Sequence, residues 1–140
     1  CDLNDTVKLY KKYKEKLISS KCLIKGTRVN RGFFDSLFSR SMAILTSIMF
    51  AKKFTEINAQ PKIFNKDLFK HFINPPKDFS LDLFILYISK INNYEIIEFP
   101  VIYKKRLAGI SKGGDSLKGK IKLSFRAIKY IIELRFNVFK

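Results

Sequence analysis

Asn92-Asn93-Tyr94-Glu95-Ile96-Ile97-Glu98-Phe99-Pro100-Val101-Ile102-Tyr103 decides the fold. Ile, Val, Phe and Tyr crowd residues 94–103, which suits a pleated, half-buried strand, and the Asn pair ahead of them suits a turn. Just before that turn, residues 79–91 set apolar side chains at helical spacing, broken on the apolar side only by Asp82. A helix turning directly into a strand is the unit from which α/β layers are built.

The flanking segments repeat the alternation. Residues 4–19 predict a helix, with Asn4 or Asp2 as its cap and Val7, Leu9, Tyr10, Tyr13, Leu17 and Ile18 as an imperfect apolar stripe. A short strand is expected over 21–25, closed by Gly26, and then a loop to Gly32 that holds Arg28 and Arg31. The longest apolar helix is expected over 33–54, with Phe34, Leu37, Phe38, Leu45, Ile48 and Met49 as its core face. Asp35 falls in its first turn and Lys52 and Lys53 in its last, as the helix dipole favours.

Pro61 makes 57–64 extended, Asn65 caps a short helix through Phe72, and Asn74-Pro75-Pro76 ends it. After the 94–103 strand, 104–114 is a glycine-bearing loop, and Asp115 or Ser116 opens a final helix to about Asn137. The pattern predicts an α/β fold in which helices cover a central sheet, without internal repeats.

Composition bounds what such a fold can do. The chain has 140 residues with 28 Lys or Arg and 12 Asp or Glu, a formal charge of +16, and 46% hydrophobic residues. That length suits one domain, and the apolar share excludes a disordered basic tail. No run approaches the roughly 18 consecutive apolar residues of a membrane span. Cys1 and Cys22 cannot make a disulfide framework, and neither sits in a Cys/His cluster with zinc spacing. The charge attracts polyanions, and nucleic acid, an anionic membrane surface and a phosphorylated substrate all qualify. Cys1 stands where a start Met would, and acids and lysines fill the place of a signal peptide's apolar region, so the chain is expected to be cut from a longer one.

In α/β sheets, ligands collect in the loops at the carboxyl ends of strands. Two such loops combine glycine with positive charge: one carries Arg28 and Arg31, the other Lys104, Lys105, Arg106 and Lys112. Glycine lets backbone N–H groups approach an anion and arginine forks grip phosphate oxygens, so a phosphate or diphosphate is the ligand these loops suit. Asp82, a carboxylate on an apolar helix face, must find a cation or titrate abnormally. His71, the single histidine, has no catalytic partner at triad spacing and reads as a surface residue.

Six short segments in order carry a resemblance. Lys25-Gly26-Thr27-Arg28 comes first, then Phe38-Ser39-Arg40 on an apolar helix, then Ile57-Asn58-Ala59-Gln60-Pro61-Lys62-Ile63-Phe64. Phe79-Ser80-Leu81-Asp82-Leu83 follows, then Tyr94-Glu95-Ile96-Ile97-Glu98-Phe99-Pro100-Val101, and last Arg106-Leu107-Ala108-Gly109-Ile110-Ser111-Lys112. Together they resemble glycosyltransferase family 2, most closely its branch of dolichyl- and polyprenyl-phosphate sugar transferases, over nearly the whole chain.

The resemblance implies residues 1–140 to be the C-terminal, acceptor-side portion of a Rossmann-like GT-A catalytic domain, with a mixed sheet covered by helices. The Asp-x-Asp half, with the Mg²⁺ or Mn²⁺ ligands and most of the nucleotide pocket, would precede Cys1, so this portion alone would be inactive and would supply no metal ligand. It implies transfer from a nucleotide-sugar donor to a lipid-phosphate acceptor, at the cytoplasmic membrane face. Arg28, Ser39 and Arg40 would hold the acceptor phosphate; Arg106, Ser111 and Lys112 would close over the donor diphosphate; Asp82 would be the catalytic carboxylate. The helix over 33–54 gains a second use as a peripheral membrane contact, beside core packing. Asp35, Ala108 and Asn58-Ala59-Gln60-Pro61 depart from the family's usual residues. The alternative function is a basic nucleic-acid-binding module; it is disfavoured because most aromatics fall at core spacing and no such signature is present.

Overall fold

The computed structural model describes residues 3–29, 32–102 and 117–137. The chain forms two compact units, Cys1–Arg31 with Glu56–Lys104, and Gly32–Thr55 with Lys105–Lys140.

The first unit is an α/β layer structure. Helix α1 (Leu3–Ser19) leads into strand β1 (Cys22–Val29); strand β2 (Lys62–Phe64), a 3-10 helix (Lys66–His71), helix α3 (Leu81–Ile91) and strand β3 (Glu95–Ile102) complete it. Among the described residues the sheet has three strands in the order β2-β1-β3. β2 pairs antiparallel with β1, Leu23 opposite Phe64, and β3 pairs parallel with it along its length, Cys22 opposite Glu95 and Val29 opposite Ile102. The sheet is therefore mixed.

Its two faces differ in chemistry. Cys22 and Ile24 of β1, with Ile63, Ile97 and Phe99 beside them, pack on Leu9, Tyr13 and Leu17 of α1. One residue along, Lys62, Lys25 and Glu98 stand in a row across the three strands by register. In α3 every residue from Leu83 to Ser89 is buried. The burial of Leu9, Leu17 and Ile24 alone is worth about 2 kcal/mol each in apolar transfer. Val7, Tyr10 and Ile18 of the expected α1 stripe are exposed instead, because the strip of sheet that α1 covers is narrow.

The turn that decides the fold is built as its sequence suggests. Asn93 takes a left-handed backbone, φ 57°, which Asn tolerates better than most residues, and the Tyr94 N–H returns to the Ser89 carbonyl at 2.8 Å. Asn65 caps the 3-10 helix through the Asp67 N–H at 2.9 Å, and its own amide donates to the Leu17 carbonyl at the end of α1, 2.8 Å away.

β1 corrects the sequence reading in one respect. It does not stop at Gly26 but runs on through Thr27 and Arg28 to Val29, so Arg28 lies on a strand and not in a loop. The reason is nonlocal: β3 pairs with every residue from Gly26 to Val29.

The second unit contains helix α2 (Phe33–Phe50) and helix α4 (Leu117–Asn137), which pack on each other. α2 ends four residues earlier than its periodicity predicts, at Ala51 in a left-handed conformation, φ 50°. Ser47 Oγ then accepts the Phe54 N–H at 2.8 Å, and the Phe50 and Phe54 rings meet at 6.0 Å, which closes the apolar pattern without further helix. Lys52 and Lys53 thus follow the helix and do not sit in its last turn. Leu37 and Ile48, expected in the core, are exposed; Ala43, Thr46 and Phe50 are buried in their stead. No described helix is long and apolar enough to cross a membrane.

Candidate functional site

Because β1 and β3 are parallel and in register, Arg28 opposite Val101, both strands end side by side at one edge of the sheet. Arg28 and Val29 are the last residues of β1, and the chain that leaves β3 at Ile102 carries Lys104, Lys105 and Arg106 within its next four residues. Residues 103–116, with Arg106, Ser111 and Lys112, lie outside the described residues, as does Arg31.

Arg28 is fixed from below. Its Nε donates to Glu56 Oε2 at 2.7 Å, with both side chains largely buried. Glu56 takes φ 39°, a left-handed conformation uncommon for a residue with a Cβ, and its carbonyl accepts the Ala59 N–H at 3.0 Å. The tight turn so formed leads into a cis Gln60-Pro61 bond. The Gly26 N–H donates to the Pro61 carbonyl at 2.8 Å, and a Cβ built at Gly26 would lie 2.3 Å from the Gln60 carbonyl oxygen. Glycine is needed there for close approach of two backbones.

Asp82, in the first turn of α3, is held by the same segment. Its Oδ1 accepts from Gln60 Nε2 and from Lys62 Nζ, both at 2.6 Å, while Lys62 also donates to the Ala59 carbonyl at 3.0 Å. Burial pushes the Lys62 ammonium below its ordinary value, and the Asp82 carboxylate beside it opposes that shift. Lys25, with 1% of its side chain exposed, is likewise lowered by burial and opposed by Glu98, 3.2 Å away. Thr27 Oγ1 donates to the other Glu98 oxygen at 3.0 Å.

Three cations and three carboxylates therefore form a matched set beneath the carboxyl edge of the sheet. Their charges offset one another, so they set geometry. A carboxylate already engaged by an ammonium and an amide is a good orienting group. Asp82 has the cation that its placement on an apolar face demands.

Ser39 and Arg40 lie on α2, in the second unit, Ser39 half-buried and Arg40 exposed. His71 meets Tyr94 edge-to-face at 6.4 Å between ring centroids, a packing role. Cys22 is buried in the core under α1, where desolvation raises its thiol pKa. Glu56, Gln60 and Lys62 carry no role in the sequence reading. Neither Lys25, read as the last residue of a short strand, nor Glu56 carried a signal of its burial.

Among the described residues no group of three or more His, Cys, Asp or Glu side chains could hold a metal ion, so the described part does not fit a divalent-ion site. Compared with protein-family models, with curated proteins and with solved structures, the chain has no match.

Proposed function

We propose that the chain is the acceptor-side part of a sugar transferase of the glycosyltransferase family 2 type, working at the cytoplasmic membrane face on a polyprenyl-type phosphate. The observation that carries this reading is the parallel register of β1 and β3, which ends Arg28 and the root of the Arg106 loop at one sheet edge. That is where α/β sheets gather phosphorylated ligands.

In this reading Arg28, held in place by Glu56, pairs with the acceptor phosphate. Arg106, Ser111 and Lys112 are the residues the resemblance offers to the donor diphosphate. An acceptor phosphate oxygen forms the new bond to the anomeric carbon as the bond to the nucleoside diphosphate breaks. The acceptor is already anionic at neutral pH, so the step needs positioning and charge stabilisation more than a base. Asp82 then acts as a positioning group on the sugar side, oriented by Lys62 and Gln60.

The test is transfer of labelled sugar from the common nucleotide sugars to polyprenyl phosphate by the protein of the complete reading frame that contains this chain. A lipid-linked product is expected from one donor; none from any donor contradicts the proposal.

A further inference from the structure

Val7, Tyr10 and Ile18, which α1 leaves exposed at 43%, 47% and 70%, are not scattered over its surface. Lys11 and Lys14 are exposed with them. On a helix of 3.6 residues per turn, Tyr10, Lys14, Val7, Ile18 and Lys11 fall in that order across a sector of about 100°. Leu9, Tyr13 and Leu17, which meet the sheet, occupy another side of the helix. From Val7 to Ile18 the exposed face runs for about three turns of one continuous helix, so the helix itself holds its residues together. Single exposed apolar side chains are ordinary; this face repeats apolar and cationic side chains along its length.

Its charge is unanswered. Residues 6–19 hold five lysines and one acid, Glu15, a formal 5 − 1 = +4. Lys16 is spent on Glu95 at 2.9 Å, and Lys12 lies over the Tyr13 and Phe99 rings at 5.4 and 5.7 Å. Among the described residues no carboxylate pairs with Lys8, Lys11 or Lys14.

The order around the helix identifies the occupant. Lys14 falls between Tyr10 and Val7, so no rotation of α1 separates its apolar side chains from its cations, as layering at a bilayer surface requires. A phosphate backbone would leave Val7 and Ile18 without a partner. A second copy of this chain brings another +16. A protein helix with acidic and apolar side chains interspersed on one face answers both kinds of residue, with carboxylates opposite Lys11 and Lys14 and aliphatic groups opposite Val7, Tyr10 and Ile18.

We propose that the exposed face of α1 docks an acidic amphipathic helix of another protein. This inference does not depend on sugar transfer; it rests on exposure, helix geometry and charge. Fluorescence anisotropy of the 140-residue chain with labelled synthetic helices of equal length tests it. One helix carries a leucine stripe flanked by glutamates, a second has serine for every leucine, and a third has glutamine for every glutamate. The first is expected to bind at least about tenfold tighter than either of the others, and to weaken with salt. Lys11→Glu with Lys14→Glu should weaken that binding by about tenfold at unchanged circular dichroism. Should that variant lose structure, Tyr10→Ser with Ile18→Ser asks the same question of the apolar groups. Equal binding of the serine helix, no binding, or binding untouched by the variants overturns the proposal. So does tighter binding to phosphatidylglycerol vesicles or to a single-stranded oligonucleotide that the same variants abolish.

Discussion

Gly26 is the residue on which the site's backbone depends. The Gln60 carbonyl occupies the space of its missing side chain, and its own N–H is spent on Pro61. Gly26→Ala should cost about 3 kcal/mol, because the obstructing atom is backbone and cannot rotate away; chemical denaturation of both proteins measures it. Lys25 gives a second test through its proton. Burial holds its folded pKa below 10.5, so between that lowered value and 10.5 the unfolded chain binds more protons than the folded one. Stability from Lys25 therefore rises with pH across that window, and below it the full cost of burying the charge applies. Lys25→Met removes the effect. Urea unfolding on the alkaline side should show the stability of the unsubstituted chain gaining on that of Lys25→Met as pH climbs towards 10.5; a constant difference contradicts the assignment.

Among the elements, the 3-10 helix hangs on Asn65, which joins its first turn to the end of α1 through two hydrogen bonds. Asn65→Ala loses both the cap and the tie and should lower stability by about 1–2 kcal/mol, read from the shift in denaturation midpoint. This cap was legible in the sequence because an N-cap is local chemistry. β3 was legible for the same reason: Ile, Val, Phe and Tyr after an Asn pair leave little else to form. The far half of β1 was not, because Gly26 reads locally as a stop while its pairing partner lies some seventy residues away. Periodicity likewise located α2 without saying which of its two apolar faces a neighbour covers, so Leu37 and Ile48 look like core until exposure is known. The early end of α2 at Ala51 leaves no mark either, since alanine is not a residue that announces a left-handed backbone.

For the whole molecule, order and spacing were enough to predict helices around a central sheet and to single out Arg28 and Asp82. The groups that hold those two, Glu56, Gln60 and Lys62, were hidden because they meet their partners only through the turn with a positive φ at Glu56, which has no mark in the sequence. The central claim is that Arg28, at the end of β1, serves an acceptor phosphate. Its direct test is initial-rate kinetics of the complete protein with polyprenyl phosphate and with the unphosphorylated polyprenol, for the native chain and Arg28→Ala. The account predicts that only the phosphate is used, and that Arg28→Ala raises the acceptor KM by about tenfold or more while the nucleotide-sugar KM stays within about twofold. Equal use of the alcohol, or an unchanged acceptor KM in the variant, would contradict it.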